Sequence, residues 1–171
     1  NDFVVTNQFE LQGFKTPIKP DIILFVNGIP LVIIECKSPF IAQWLEEAVE
    51  QKNFKKYRST GNGYERLMFY NHILIATNGD EARHGTISSD VNQFQNSRWS
   101  SAYPLTIDDV EKVYGKSRGQ EILIAGMLQK PHLLDLLKNY VIYQTIGNKR
   151  VKIMAKHQQY RTVTKCAKQI K

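Results

Sequence analysis

The sequence predicts an α/β fold in which helices flank a mixed central β-sheet. Two short apolar runs, residues 22–26 and 31–36, lie on either side of an Asn-Gly turn signal, as expected of a β-hairpin. Residues 41–57 then repeat their apolar side chains at helical spacing, and another apolar run follows at 72–77. The order of hairpin, helix, strand, strand and further helices is typical of a mixed sheet covered by helices.

The first half of the chain is divided by turn-forming residues. Residues 1–13 show no clear pattern, and two prolines, Pro17 and Pro20, indicate a loop that leads into the first strand. The run at 72–77 ends at an Asn-Gly pair, and we expect a paired strand at 85–88. Residues 89–104 are polar and aromatic without a clear period.

The second half of the chain predicts several helices and one strand. Thr106 has the position of an N-cap for a helix over 107–114, and Pro131 is a good first residue for a helix over 132–139. The other expected elements are a helix at 121–128, a strand at 141–145 and a basic helix at 151–170.

Composition and charge limit the classes of protein. The hydrophobic fraction of 42% is sufficient for a core, and no apolar run approaches the ~20 residues that span a bilayer. The two cysteines, Cys36 and Cys166, are far apart in sequence, which favours a reduced, cytoplasmic protein without membrane contact. The net charge of +7 is uneven, because residues 147–171 hold eight of the 23 basic residues and none of the 16 acidic ones. A basic tail suits phosphate or an acidic partner, and a solvated helix face is an equally good interpretation.

The polar end of the hairpin is the strongest candidate for chemistry. Glu35 and Lys37 are two apart on a strand, so they share one face. A two-residue turn at Asn27-Gly28 pairs residues whose numbers sum to 55. Asp21 would then lie opposite Ile34 and point away from Glu35. A three-residue turn or a β-bulge makes the sum even and brings Asp21 to the same face. We therefore predict one of these two irregularities, or else a bend at Pro20 that redirects Asp21.

Two carboxylates that converge need a proton or a cation between them. Hard oxygen ligands suit Mg²⁺, and the backbone carbonyl of Cys36 could add a third protein oxygen to those of Asp21 and Glu35. Lys37 would then hold or deprotonate a water and stabilise developing negative charge. These parts suit hydrolysis of a phosphodiester bond, whereas the bland alternative is an ordinary exposed strand end.

Pro-Asp, thirteen residues and then Glu-Cys-Lys resemble the motif of the PD-(D/E)XK nuclease superfamily. The longer phrase PDIILFVNGIPLVIIECKSP is similar to the nuclease domain in the restriction (R) subunit of type I restriction-modification enzymes. Phrases that agree with it are EAVEQKNFKKY, MFYNHILIATNGDEARHGTI, LLDLLKNYVIY and KHQQYRTVTKCAKQI. The resemblance implies a restriction-endonuclease-like core, with Asp21 and Glu35 as metal ligands and Lys37 as the catalytic lysine.

The resemblance also implies a Gln-x-x-x-Tyr pair on the next helix that supports the site or contacts DNA. Gln51 matches the glutamine, but position 55 is Lys, and Tyr57 follows two residues late. A step of six residues does not return to the same face of an α-helix.

The resemblance further implies an endonuclease-like domain over 1–146, followed by a basic helical linker over 147–171 that begins an ATP-dependent translocase motor. Mg²⁺ would be the cofactor here, and ATP would bind only in the motor. Expected partners are double-stranded DNA and the methyltransferase and specificity subunits of the complex. Two alternatives stay open: a non-catalytic docking or regulatory module with a nuclease-like fold, and a repair or recombination nuclease of the same superfamily.

Overall fold

A five-stranded mixed sheet forms the centre of the computed structural model, which describes residues 1–12, 15, 17–51, 54–59 and 64–170, the side chain of Gln51 excepted. The strands, in spatial order, are β1 (Phe3–Asn7), β2 (Ile22–Val26), β3 (Ile29–Cys36), β4 (Ile73–Thr77) and β5 (Ala82–Gly85). β3 and β4 run parallel and the other neighbours run antiparallel. The predicted α/β fold with a mixed sheet is therefore confirmed.

Helices cover both faces of this sheet. The first group is α1 (Trp44–Glu46), a π-helical turn (Glu47–Gln51), α2 (Phe54–Arg58), α3 (Glu65–Phe69) and α4 (Val91–Gln95). The second group is α5 (Ile107–Tyr114), α6 (Gly119–Met127), α7 (Lys130–Asn139) and α8 (His157–Ile170). Among the residues that the structure describes, none of the helices combines the length and the apolar character that crossing a bilayer requires.

Alternate residues of β3 divide the core into two layers, because successive strand side chains point to opposite faces. Ile33 packs with side chains from α1 to α4, including Leu45, Phe54 and Phe94. Val32 and Ile34 pack on the other face with side chains from α6, α7 and α8: Leu123, Met127, Leu133, Leu136 and Tyr160. Glu35 has the parity of Ile33, so it points toward the α1–α4 layer.

The predictions for the second half of the chain are largely confirmed. Thr106 caps α5 in a capping box with Asp109, and Pro131 lies in the first turn of α7. A second capping box, in which Asp90 caps α4, lies in the stretch without a clear period.

The strand β1 is not predicted from the sequence, because it is an edge strand whose side chains are mostly exposed.

Three predicted elements need correction. The paired strand expected at 85–88 lies at 82–85. The helix expected over 41–57 is interrupted, since the π-helical turn separates α1 from α2. The basic helix expected over 151–170 begins only at His157, because Lys149–Met154 form β7, which pairs with β6 (Val141–Ile146) in a separate hairpin. The division of the chain at residue 147 stays a prediction, and the turn between β6 and β7 lies there.

The β2–β3 hairpin combines a tight turn with a β-bulge. Asn27 and Gly28 both have positive φ, at 51° and 78°, as the two-residue type I′ turn requires. The pairing beside this turn sums to 55, as in Val26↔Ile29, whereas beyond a register shift at Leu24/Phe25 it sums to 56, as in Ile22↔Ile34. Leu31 is the extra residue. The predicted bulge is confirmed, and the alternative of a three-residue turn is wrong.

Candidate active site

The bulge brings Asp21 level with Glu35. Because pairs beyond the bulge sum to 56, Asp21 is opposite Glu35 and shares its face. The backbone N–H of Cys36 donates to Asp21 Oδ2 at 2.8 Å, which fixes this carboxylate beside the end of β3. The other oxygen, Oδ1, accepts from Gln8 Nε2 at 3.0 Å.

Glu35 is a buried carboxylate, with 1% of its surface exposed. The hydroxyl of Tyr57 donates to Glu35 Oε1 at 2.8 Å. The pKa of Glu35 is raised to about 8, mainly by burial and in smaller part by the negative charge of Asp21, while the Tyr57 hydrogen bond and the Lys37 charge oppose the rise. This carboxyl group is therefore costly to ionise unless a cation lies beside it.

Lys37 follows β3 directly and has the same parity as Glu35, so the two side chains start from one face. Its backbone N–H donates to the carbonyl of Thr77 at 2.7 Å, which ties the chain after β3 to the end of β4. The positive charge of Lys37 opposes part of the rise in the pKa of Glu35. Asp21, Glu35 and Lys37 therefore lie at one edge of the sheet.

Cys36 lies between the two charged residues, but its thiol is not activated. Burial and the charges of Asp21 and Glu35 raise the pKa of Cys36, which keeps the sulfur protonated. The backbone of Cys36 is the part that faces the site, through its N–H bond to Asp21. Its carbonyl lies at the same strand end and is an oxygen of the kind that Mg²⁺ accepts.

Tyr57 reaches this cluster although its spacing from Gln51 does not fit an α-helix. The segment is not one regular helix, since the π-helical turn ends at Gln51 and α2 begins at Phe54. The α-helical period of 3.6 residues, on which Gln51 and Tyr57 do not share a face, therefore does not apply from one residue to the other. Tyr57 is buried and in contact with Glu35. The side chain of Gln51 lies outside the described residues.

The donor set fits a hard divalent cation. Two carboxylates face each other across neighbouring strands, one of them buried, and a cation between them would remove both their repulsion and the cost of burial. Within the described residues no group of three or more Asp, Glu, His or Cys side chains assembles. A cation here would thus take Asp21, Glu35 and backbone, water or phosphate oxygens, as Mg²⁺ commonly does.

Two residues of this edge were not predicted from the sequence. Gln8, directly after β1, contacts Asp21. Thr77, at the end of β4, accepts the Lys37 N–H at its carbonyl, and its hydroxyl lies 2.8 Å from both Glu81 O and Gln120 Oε1. A hydroxyl has one proton, so Thr77 can donate to only one of these two acceptors. The signal that could have found Gln8 was the β1 strand, which would have placed it beside Asp21.

Comparison with known proteins gives a family and several relatives. A family model described as the type I restriction enzyme R protein N terminus matches residues 1–93. The chain is 31% identical to the putative type I restriction enzyme MjaIXP endonuclease subunit of Methanocaldococcus jannaschii, over 96% of this chain and 16% of the relative. It is 33% identical to the type I restriction enzyme HindI endonuclease subunit of Haemophilus influenzae, over 94% of this chain and 15% of the relative.

A third relative, the type I restriction enzyme EcoprrI endonuclease subunit of Escherichia coli, is 28% identical over 85% of this chain and 43% of its own length. The chain spans about one sixth of the length of the first two relatives. The alignments with the first two relatives cover nearly the whole of this chain, well beyond the residues that the family model matches.

Proposed function

This chain belongs to the type I restriction enzyme R protein N-terminus family, and we propose that it is a magnesium-dependent endonuclease domain that hydrolyses phosphodiester bonds of double-stranded DNA. The relatives are endonuclease subunits of type I restriction enzymes, and they are much longer than this chain. The activity would therefore be expressed within a complete subunit and its complex.

One observation carries the proposal: the hydrogen bond from the Cys36 N–H to Asp21 Oδ2. This bond depends on the bulge at Leu31, because a regular ladder would place Asp21 opposite Ile34 and on the other face. A hairpin with a purely structural role has no need for an acid at this register. The bulge instead re-aims a side chain, which is a recurrent use of bulges beside active sites.

Asp21, Glu35 and the carbonyl of Cys36 would hold the Mg²⁺ ion. When bound, the ion lowers the pKa of a water and neutralises charge on the scissile phosphate. The chain keeps Glu35 ready for this role by burying it against Tyr57, whose hydroxyl fixes one carboxylate oxygen. The other Glu35 oxygen can then turn toward Asp21.

Lys37 supplies the positive charge of the protein at this edge. Its backbone is anchored to Thr77, so its side chain starts from a fixed point one residue beyond the strand. The ammonium would stabilise the negative charge that develops on the phosphate and help to hold the attacking water. Tyr57 acts through Glu35, and a DNA contact by Gln51 is part of the same proposal.

The relatives are named as subunits of type I restriction enzymes, which supports DNA and a multi-subunit complex as partners. We propose that double-stranded DNA is the substrate, and that a methyltransferase and a specificity subunit direct cleavage in the cytoplasm. ATP would be bound by the motor part of the complete subunit. The charge distribution supports this division, because residues 1–146 hold 15 basic and 16 acidic residues. A stand-alone duplex binder would be expected to carry a broad basic face.

A second candidate function is a non-catalytic docking module. It is favoured by α8, which carries three Lys or Arg residues and no acidic one within the described part of the chain. This helix would contact an anionic surface of a partner or of the motor. In that case the carboxylates of the hairpin would be dispensable for cleavage.

Plasmid cleavage by the complete complex with ATP and Mg²⁺ separates the two functions. Asp21→Ala, Glu35→Ala and Lys37→Ala should each reduce cleavage by at least about 1,000-fold, because each removes a ligand or the charge-stabilising group. ATP hydrolysis should continue, since the motor is outside this chain.

Matched controls are Asp2→Ala, an exposed acid at the turn end of the hairpin, and Lys112→Ala, an exposed lysine on α5. Both should cut as the wild type does. Wild-type cleavage by all three active-site variants would overturn the nuclease assignment and leave the docking module.

A further inference from the structure

We propose that Gln8 is a positioning residue of the active site, whose side-chain amide orients the carboxylate of Asp21 toward the cation. The inference rests on the proposed function, since it assigns to Asp21 the role of a ligand. Gln8 lies directly after β1, on a part of the chain distant in sequence from the Asp-Glu-Lys motif.

The register of three strands brings the residue to the site. Pairs between β1 and β2 sum to 29, as in Asn7↔Ile22, so Gln8 is the next residue and lies opposite Asp21. Beyond the bulge Asp21 in turn lies opposite Glu35. Residues directly opposite each other in neighbouring strands point to the same face, so Asp21 and Glu35 share one face, and the Gln8 amide reaches Asp21 Oδ1 from the end of β1.

Gln8 holds Asp21 at both its backbone and its side chain. The Gln8 backbone N–H donates to the Asp21 carbonyl at 2.8 Å, and Gln8 Nε2 donates to Oδ1 at 3.0 Å. Oδ2 accepts from Cys36 N at 2.8 Å. One oxygen is therefore held from β1 and the other from β3, which fixes the plane of the carboxylate. Each oxygen keeps a second lone pair for a cation.

The backbone at Gln8 is adapted to this contact. Its φ is +52°, a left-handed conformation that is unfavourable for a residue with a Cβ. β1 ends at Asn7, and the left-handed residue turns the chain away from the sheet while the bonds to Asp21 persist. The two hydrogen bonds offset the cost of this conformation.

A neutral amide is the suitable chemistry for the position. A lysine or arginine beside Asp21 would neutralise the charge that is needed to attract a divalent cation, and a carboxylate would repel Asp21. The glutamine amide donates a hydrogen bond without changing the net charge of the Asp21–Glu35 pair. It can therefore orient the ligand and leave its affinity for the cation intact.

The test uses two substitutions that tolerate positive φ. Gln8→Asn keeps an amide and favours the left-handed region but is one methylene too short to reach Oδ1. Gln8→Gly keeps the backbone conformation without cost and removes the side chain. Asn7→Ala, a change at the exposed amide next to Gln8, is the matched control.

Two measurements on the complete subunit in its complex are needed. Plasmid cleavage should fall about tenfold at limiting Mg²⁺ in both Gln8 variants, and the half-maximal Mg²⁺ concentration should rise, because one hydrogen bond to a charged group is lost. In metal-free protein, the Cys36 amide should exchange its hydrogen about tenfold faster, because its acceptor Asp21 is released. ATP hydrolysis should be unchanged.

The inference is overturned if the Gln8→Asn variant has wild-type Mg²⁺ dependence and wild-type exchange at Cys36. It is also overturned if exchange rises equally throughout β2 and β3, since Gln8 would then be merely structural. Asp21→Ala is measured alongside. Wild-type cleavage by that variant would contradict the proposed function itself, whereas an inactive Asp21→Ala with normal Gln8 variants would contradict only the role of Gln8.

Discussion

Two buried ionisable side chains, Glu35 and Lys152, lie near opposite ends of β4 and differ in their surroundings. Glu35, beside Ala76, is 1% exposed and has a second acid, Asp21, next to it. Lys152 is 6% exposed, donates from Nζ to the carbonyl of Asn71 just before β4, and lies 5.5 Å above the centre of the Tyr143 ring.

The pKa values reflect this difference. Burial lowers the pKa of Lys152, and its neighbours at that end are a carbonyl and an aromatic ring, which accommodate an amine. The pKa of Glu35 is raised by burial and by the like charge of Asp21, and the Tyr57 hydrogen bond and the Lys37 charge offset this rise only in part. A buried ionisable group is the better indicator of a binding site when a neighbouring like charge adds to the cost of ionising it. A buried group with neutral partners indicates a structural role.

The largest expected effect comes from Glu35→Gln, which keeps the shape of the side chain and removes its charge. Cleavage should fall by at least about 1,000-fold, because a ligand oxygen is lost. The free energy of unfolding of the metal-free protein at pH 8 should rise by about 3 kcal/mol, because the cost of ionising a buried carboxyl group beside Asp21 is removed. Plasmid assays and urea denaturation measure the two. Glu10→Gln, at an exposed acid, is the control, and cleavage within tenfold of wild type would contradict a ligand role.

The second-largest effect is the contribution of Glu35 to the pH dependence of stability. The pKa of Glu35 is about 8 in the folded protein and about 4.5 when unfolded, so between these values the folded state holds a proton that the unfolded chain has released. Stability should therefore fall as pH rises from about 4.5 to 8, by about 3 kcal/mol in the absence of metal.

Denaturation at pH 5 and pH 8, for the wild type and Glu35→Gln, isolates this contribution. The variant should lose less stability across the window, and Mg²⁺ should recover most of the wild-type loss at pH 8 because it binds the ionised carboxyl group. Equal losses in the two proteins would show that Glu35 does not titrate in this range.

Lys152→Met should affect stability without affecting catalysis. The substitution leaves the carbonyl of Asn71 without its ammonium donor, and we expect the free energy of unfolding to fall by about 2 kcal/mol. Cleavage by the complex should stay within about twofold of wild type at a temperature where the variant is folded. A large loss of cleavage by folded protein would remove the distinction between the two buried charges.

The smallest effect is expected for Tyr57→Phe. It removes the hydroxyl that donates to Glu35 Oε1 and keeps the buried ring. Cleavage should fall about fivefold, in line with one hydrogen bond that orients a ligand. Tyr64→Phe, a change at a partly buried tyrosine of the same layer, is the control. If both variants cut equally well, Tyr57 only fills space.

The sequence predicted the sheet, the position of the hairpin and the candidate triad, because these depend on local signals. Alternating apolar runs, an Asn-Gly turn and a Glu-x-Lys spacing are all legible within a few residues. Whether Asp21 and Glu35 share one face of the hairpin could not be predicted from the sequence, because it depends on the bulge. Whether Leu31 bulges depends on how β3 meets β2 and β4 together, and Leu31 contributes its carbonyl to His72 N on the β4 side.

The elements that were missed depend on contacts distant in sequence. β1 has no apolar period because it is exposed at the sheet edge, so Gln8 could not be placed beside Asp21. The residues of β7 were predicted as the start of a helix, because their basic side chains are equally compatible with the exposed face of a helix. They form a strand because they pair with β6. Tyr57 was a candidate whose spacing from Gln51 did not fit an α-helix, because a π-helical turn cannot be recognised from the spacing of apolar residues.

Because of the β-bulge at Leu31, the proposed active site depends on whether the number of residues between Asp21 and Glu35 is odd or even. Insertion or deletion of one residue between Asp21 and Glu35 would place the two acids on opposite faces of the sheet, in a hairpin that still pairs. A change of two residues would restore them to one face. Viable insertions and deletions in this hairpin should therefore come in pairs, and a single-residue change should produce a folded protein that does not cut. Pro30 favours this arrangement, since its missing N–H suits a place where the ladder is already broken.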